Sequence, residues 1–237
     1  MQTDILGTAV LDFQNGNYTT DIKTYSSLDE EDIIPVPYLF RSYKEMPLLE
    51  KKALELAKGA ILDVGCGAGS HSLYLQENGK NVTALDSSNG AIEVCKARGI
   101  KNTICTDLYN YKGEKFDTIL LLMNGIGLAG KLNQVNKFLT QLKSFLNPGG
   151  QILLDSSDIL YMFDPDEDGG YWIPEVEYYG EVSFEMEYKS NKSESFNWLY
   201  LDYNTLQRAA VANNLECELI KEGEHFDYLA KLTLKQQ

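Results

Sequence analysis

The stretch ILDVGCGAGS, residues 61–70, constrains this chain more than any other. A run suited to a buried strand, AILDV, meets glycine at 65, 67 and 69. A strand that runs through a glycine-rich turn into a helix sets the free N–H groups of the helix start in front of a ligand. Gly65 and Gly67 allow backbone angles closed to other residues and let that ligand approach the main chain. In an open α/β sheet, such a turn lies at the carboxyl edge of the strands, where ligands bind.

The residues that follow have the alternation such a sheet needs. AILDVG (60–65), NVTALD (81–86), TICTD (103–107), FDTILLLM (116–123) and QILLDSS (151–157) predict five strands. Helices are predicted over 69–78, 88–98 and 131–146, the last ending before Asn147-Pro148-Gly149-Gly150. The strands are near-continuous apolar runs, which argues for a parallel sheet covered by helices on both faces. After residue 157 the pattern changes. Residues 171–190 and 194–202 predict an antiparallel hairpin rich in aromatics, then a helix over 204–214 capped by Asn204, then two closing strands.

Ahead of the glycine turn, ILGTAVLDF (5–13) and YTTDIKTY (18–25) predict two strands joined through Asn15-Gly16, a favoured hairpin dipeptide. A helix is expected within 38–59, started by Pro47 and closed by Gly59. The expected organisation is an N-terminal β-hairpin extension over 1–37 and one domain over 38–237. That domain carries an insert at about 158–202 on the substrate side.

Composition narrows the partners. The chain has 237 residues and a net charge of −14. Residues 1–150 carry 17 acidic and 15 basic side chains, whereas residues 151–237 carry 18 and 6. An acidic surface of this kind repels phosphate backbones, so no nucleic-acid partner is expected. No apolar run approaches the ~20 residues of a membrane span, so no membrane partner is expected. MQTDILGTAV has no basic segment leading into an apolar one, hence no secretory signal. Cys66, Cys95, Cys105 and Cys217 lack paired spacing, which suits reduced thiols in the cytoplasm and predicts no metal site.

Three acids bear on the ligand of the turn. A dinucleotide binder wants GxGxxG, but the third glycine position is Ser70, and Asp63 precedes the turn. An anion there suits a ligand with an ammonium group. Asp86 ends the second strand, 21 residues after Gly65, where a carboxylate accepts from ribose hydroxyls. Asp107 ends the third, where it can accept from an adenine amine. Together these describe S-adenosylmethionine.

ILDVGCGAGSHSLYL, VTALDSS, CTDLY, FDTILLLMNGIG and LNPGGQILLDSS resemble, in order and spacing, the motif series of class I S-adenosylmethionine-dependent methyltransferases. The resemblance covers residues 60–157. It implies a Rossmann-like α/β fold with a seven-stranded, mostly parallel sheet whose last strand is antiparallel. It also implies S-adenosylmethionine as methyl donor, S-adenosylhomocysteine as product and a small-molecule methyl acceptor. The residues it assigns to the cofactor are Gly65, Cys66 and Gly67 along its length, with Asp63 near its amino group. Asp86 falls on the ribose; Ser87, Asp107 and Leu108 fall by the adenine; Met123 and Asn124 fall beside the methyl. Arg41 is expected on the methionine carboxylate. The absence of Asn/Asp-Pro-Pro-aromatic at 124 speaks against methylation of bases. Asn124, Tyr161, Tyr171 and Trp172 are the candidates for the acceptor pocket, with Asp164, Asp166, Glu167, Asp168, Glu175 and Glu177 nearby. An apolar or cationic acceptor would suit them. His71 is expected on the helix surface, and no catalytic base is assigned. Two other readings stay open from the residues alone: a nicotinamide-dependent Rossmann oxidoreductase and a non-catalytic S-adenosylmethionine-binding protein. The oligomeric state stays undetermined.

Overall fold

The computed structural model describes residues 4–165, 170–173 and 177–235. The first element differs from the expectation. Residues 5–13 are not a strand but part of helix α1 (Ile5–Gln14), because Asp4 caps it by accepting the Gly7 N–H at 2.8 Å. Ile5, Ala9 and Val10 bury one helical face. Asn15-Gly16 ends the helix, with Gly16 at φ +75°, rather than turning a hairpin. The hairpin of the extension comes later, as β1 (Ile22–Ser26) antiparallel to β2 (Glu31–Ile34).

Two short 3₁₀ turns, Val36–Phe40 and Tyr43–Glu45, then lead to α2 (Leu48–Leu56). Pro47 starts this helix as expected, but it stops at Leu56 with Ala57 as its C-cap, before Gly59. The alternating region follows: β3 (Ala60–Val64), α3 (Ser70–Glu77), β4 (Asn81–Asp86), α4 (Asn89–Ala97), β5 (Asn102–Cys105), β6 (Phe116–Leu121), α5 (Val135–Ser144) and β7 (Leu146–Ser157). Consecutive residues Ile61 and Leu62 are both fully buried, as are Leu120 and Leu121. β3 and β6 are therefore covered on both faces, which is why they show no polar alternation, whereas the edge strand β5 has no fully buried residue.

The remaining elements are β8 (Glu181–Tyr188), β9 (Asn191–Lys192), β10 (Phe196–Leu199), α6 (Tyr203–Ala212), β11 (Leu215–Glu222) and β12 (Asp227–Leu234). Helix α6 is capped by Asp202, which accepts the Thr205 N–H, and not by Asn204, which is already inside the helix. The main sheet has the order β11-β12-β7-β6-β3-β4-β5, with β12 antiparallel to both neighbours and the others parallel. A second, antiparallel sheet has the order β10-β8-β1-β2, with β9 on β8. The N-terminal hairpin and the post-β7 insert are thus one sheet, not two separate additions. Among the described residues no helix is long and apolar enough to cross a membrane.

Candidate functional site

The glycine turn sits at the carboxyl end of β3, with Gly65, Gly67 and Gly69 at φ +70°, +53° and +79°. A Cβ on Gly67 would stand in open space, and one on Gly65 would meet only Leu128, at 3.5 Å. The turn therefore leaves a cradle in front of its backbone. Asp86 closes one end. Its Oδ2 accepts the Gly67 N–H and its Oδ1 the Ser88 N–H, both at 2.9 Å. Burial pushes the Asp86 carboxyl up, and these two N–H groups pull against it. Each oxygen keeps lone-pair capacity for a further donor. Asp107 is exposed and accepts the Tyr109 N–H at 2.8 Å, capping a short turn that begins with buried Leu108.

Cys66 is buried with its thiol 3.7 Å from Cys95 Sγ. The hydrogen bond with Cys95, then burial, hold the Cys66 thiol far above its usual range, so it stays protonated. Asp63 lies beneath the turn and accepts from Ser72 Oγ at 2.7 Å; burial raises its carboxyl.

Arg41 has a partner that the sequence did not suggest. Its Nη2 donates to both Glu50 oxygens, at 2.6 and 2.7 Å, and Nη1 donates to Tyr38 O at 2.9 Å. The guanidinium lies 4.2 Å from the Tyr38 ring centroid. His71, expected on a helix surface, is buried, and its Nε2 donates to Glu50 Oε2 at 2.8 Å. Burial pushes the Glu50 carboxyl up, but His71 and Arg41 more than offset it and leave it below its usual value. This buried triad ties the 3₁₀ strap to α2 and α3 beside the glycine turn.

The far end of the cradle is the turn after β6. Met123 and Asn124 both take left-handed angles, φ +67° and +57°, a strained conformation for non-glycine residues. Asp155 on β7 holds it, with Oδ2 accepting the Met123 N–H at 3.1 Å and Oδ1 the Gly125 N–H at 3.0 Å. Asn124 Oδ1 accepts from Ser156 Oγ, and its Nδ2 donates to Leu199 O, both at 3.1 Å. Burial raises Asp155 to about 6. Neither Asp155 nor Glu50 was singled out from sequence. The signal available was an acid in an otherwise apolar strand, QILLD, and an acid three residues before buried Ala53.

Of the acceptor candidates, Tyr161 stacks on Phe226 at 5.0 Å, and burial raises the phenol of Tyr200, with Tyr161 adding to the rise. Tyr171 bridges Pro165, and the Trp172 N–H donates to Asp164 O. Tyr171 and Trp172 are 43% and 73% exposed. Trp198 on β10 reaches the turn after β6, packing against Gly127 where a Cβ would collide with its ring. Asp166, Glu167, Asp168 and Glu175 lie outside the described residues.

This geometry matches known proteins. A family model described as a methyltransferase domain matches residues 62–154. The structure of an S-adenosylmethionine-dependent methyltransferase from Bacteroides fragilis, in complex with S-adenosylhomocysteine, superposes with a TM-score of 0.91. It is 46% identical, over 98% of this chain and 95% of that one. The chain belongs to the S-adenosylmethionine-dependent methyltransferases. A ubiquinone biosynthesis O-methyltransferase of Rickettsia conorii is 28% identical over 109 residues, 45% of this chain and 38% of that protein. A tRNA U34 carboxymethyltransferase of Nautilia profundicola is 33% identical over 116 residues, 45% and 37%. The chain thus matches about two fifths of the length of these curated relatives.

Membership sets aside the nicotinamide alternative, and the family's methyl donor fits the cradle. The turn leaves its backbone open where a side chain would fill it, Asp86 offers a buried acceptor, and Met123 and Leu128 remain partly exposed, at 39% and 38%.

Proposed function

We propose that this methyltransferase acts on a small organic acceptor, without a nucleic-acid or membrane partner. The open cradle between Asp86 and the Met123–Asn124 turn, roofed by the second sheet, carries the reading. Gly65, Cys66 and Gly67 would lie along the donor and Asp86 would accept from its ribose. Ser87, Asp107 and Leu108 would meet the adenine. Asp63 and Arg41 would serve the amino-acid end, Arg41 through the Nη1 side not used by Glu50. Met123 and Asn124 would stand by the methyl through main-chain groups.

When bound, S-adenosylmethionine supplies a methyl already activated on a sulfonium. The chain's task is therefore alignment and exclusion of water. Asp155 fixes the turn on which the acceptor would rest, the second sheet would cover it, and Asn124 is pinned between β7 and β10. The segments 1–37 and 158–202 act together here as a substrate-side cap on the domain of residues 38–237, since β1 pairs with β8. Tyr161 contributes to the pocket wall, while Tyr171 and Trp172 stay at its rim. Free cysteines throughout support a cytoplasmic setting.

The curated relatives include proteins named for quinone and for tRNA chemistry. The acidic C-terminal part disfavours the latter kind of acceptor, whose phosphates it would repel. The test is incubation with methyl-tritiated S-adenosylmethionine and either a metabolite extract filtered at a few kilodaltons or bulk tRNA. Label should enter the filtrate only. Label in tRNA, or in neither, would overturn the reading.

A further inference from the structure

We propose that the acceptor atom is the nitrogen of an amine, on a small molecule that carries no phosphate. This rests on the transferase reading above and names the substrate class of the same site. Ladder register shows what the roof turns toward the Met123–Asn124 turn. Phe184 lies opposite Ser26 and Phe196, and Trp198 lies opposite Val182. Asp32 lies opposite Thr24, which in turn lies opposite Met186. Because side chains alternate along a strand, Asp32, Phe184 and Trp198 share one face. Trp198 packs on Gly127, three residues past Asn124, so this is the face that looks onto the site. Tyr200 continues it, 6.4 Å from Phe184 ring to ring, with Asp32 and Tyr161 acting on it electrostatically. From below, Asp155 comes up against Met123 and Gly125.

The walls are thus aromatic faces and carboxylates. None of Asp32, Phe184, Trp198, Tyr200, Tyr161 and Asp155 is basic, and Arg41, the cation lying against Tyr38, is paired with Glu50 and, in the reading above, turned to the donor's carboxylate. This balance discriminates among acceptors. Transfer to a phenolate or carboxylate starts from an anion that Asp32 and Asp155 repel. Transfer to a neutral amine ends in a cation that the same acids and ring faces stabilise. A phosphate-bearing acceptor finds no free cation among them. In the step itself, the amine lone pair forms the N–C bond as the C–S bond breaks, leaving its electron pair on sulfur. The nitrogen, now cationic, afterwards gives one proton to solvent or stays as an alkylammonium.

The test is a titration of the full chain, first saturated with S-adenosylhomocysteine, using three benzyl probes: benzyltrimethylammonium, benzyl alcohol and benzylphosphonate. Binding is followed by tryptophan fluorescence and by ligand-observed NMR. The ammonium should bind saturably and at least tenfold more tightly than either other probe. Asp32→Asn should cut that preference severalfold while leaving S-adenosylhomocysteine affinity unchanged. Asp32 is exposed, so the variant should keep the fold. Equal binding of the three, preference for the phosphonate, or no saturable ammonium binding would overturn the proposal. Failure of S-adenosylhomocysteine itself to bind would instead overturn the cofactor assignment of the cradle.

Discussion

Asp86 is tied at both oxygens to main-chain N–H groups, one in the glycine turn and one at the start of α4. Asp86→Ala leaves both donors without that partner and removes the acceptor facing the cradle. The expected outcome is at least tenfold weaker S-adenosylhomocysteine binding in calorimetry, on the order of 1–3 kcal/mol. Unchanged affinity would take Asp86 out of the site. Asp155 yields a pH prediction. Its value in the fold, about 6, lies above the ordinary aspartate value of 3.8. The native state therefore holds its proton more tightly than the unfolded chain does. The stability this contributes is complete below about 4 and is lost as pH rises through about 6, on the order of 3 kcal/mol. The groups acting on it are Glu50, His71 and the two N–H donors. Denaturant unfolding of wild type and Asp155→Asn should show the difference moving in favour of wild type as pH falls from 7 to 5. A constant difference would show that Asp155 titrates as an exposed carboxyl does. These two acids also mark how much of the site the sequence discloses. Asp86 is legible because it ends a strand at a fixed distance from the glycine turn. Asp155 is hidden because only the pairing of β6 with β7 brings it to the Met123–Asn124 turn.

At the scale of elements, α1 is where local pattern misleads. Asn15-Gly16 suits a hairpin turn and a helix end equally, since both need a positive φ. What decides is Asp4, which caps the helix and accepts from Ser88 Oγ at 2.7 Å. That contact is tertiary and invisible in the sequence. The same docking brings α1 and α4 together at Gly7 and Gly90. A Cβ on Gly90 would sit 2.6 Å from the Gly7 backbone, which has no flexible end to give way. Gly90→Ala should therefore destabilise the chain by about 1–3 kcal/mol, seen as a lower denaturant midpoint at constant slope. A midpoint equal to wild type would mean that the two helices separate freely. The inner strands β3 and β6, by contrast, are legible at this scale because burial on both faces writes them as unbroken apolar runs.

At the scale of the whole molecule, the second sheet binds the start of the chain to a segment some 160 residues later, Lys23 opposite Glu187 and Thr24 opposite Met186. Sequence pattern exposes each strand but not its partner, because pairing depends on the fold that brings them together. The consequence is electrostatic as well as architectural. The segment 158–202, which supplies β8 and β10 to the roof, carries 12 acids against 2 bases of the C-terminal part's 18 and 6. A nucleic acid binds chiefly by releasing counterions as cationic side chains neutralise its phosphates, so such a surface gains nothing from it. Bulk tRNA should therefore fail to shift the protein in a native gel at 0.15 M salt. Lowering the salt to 0.05 M should not rescue binding, because repulsion strengthens as screening weakens. A complex that appears at low salt and dissolves at high salt would instead require a basic groove on the cofactor face. It would move the acceptor class from small molecules to RNA.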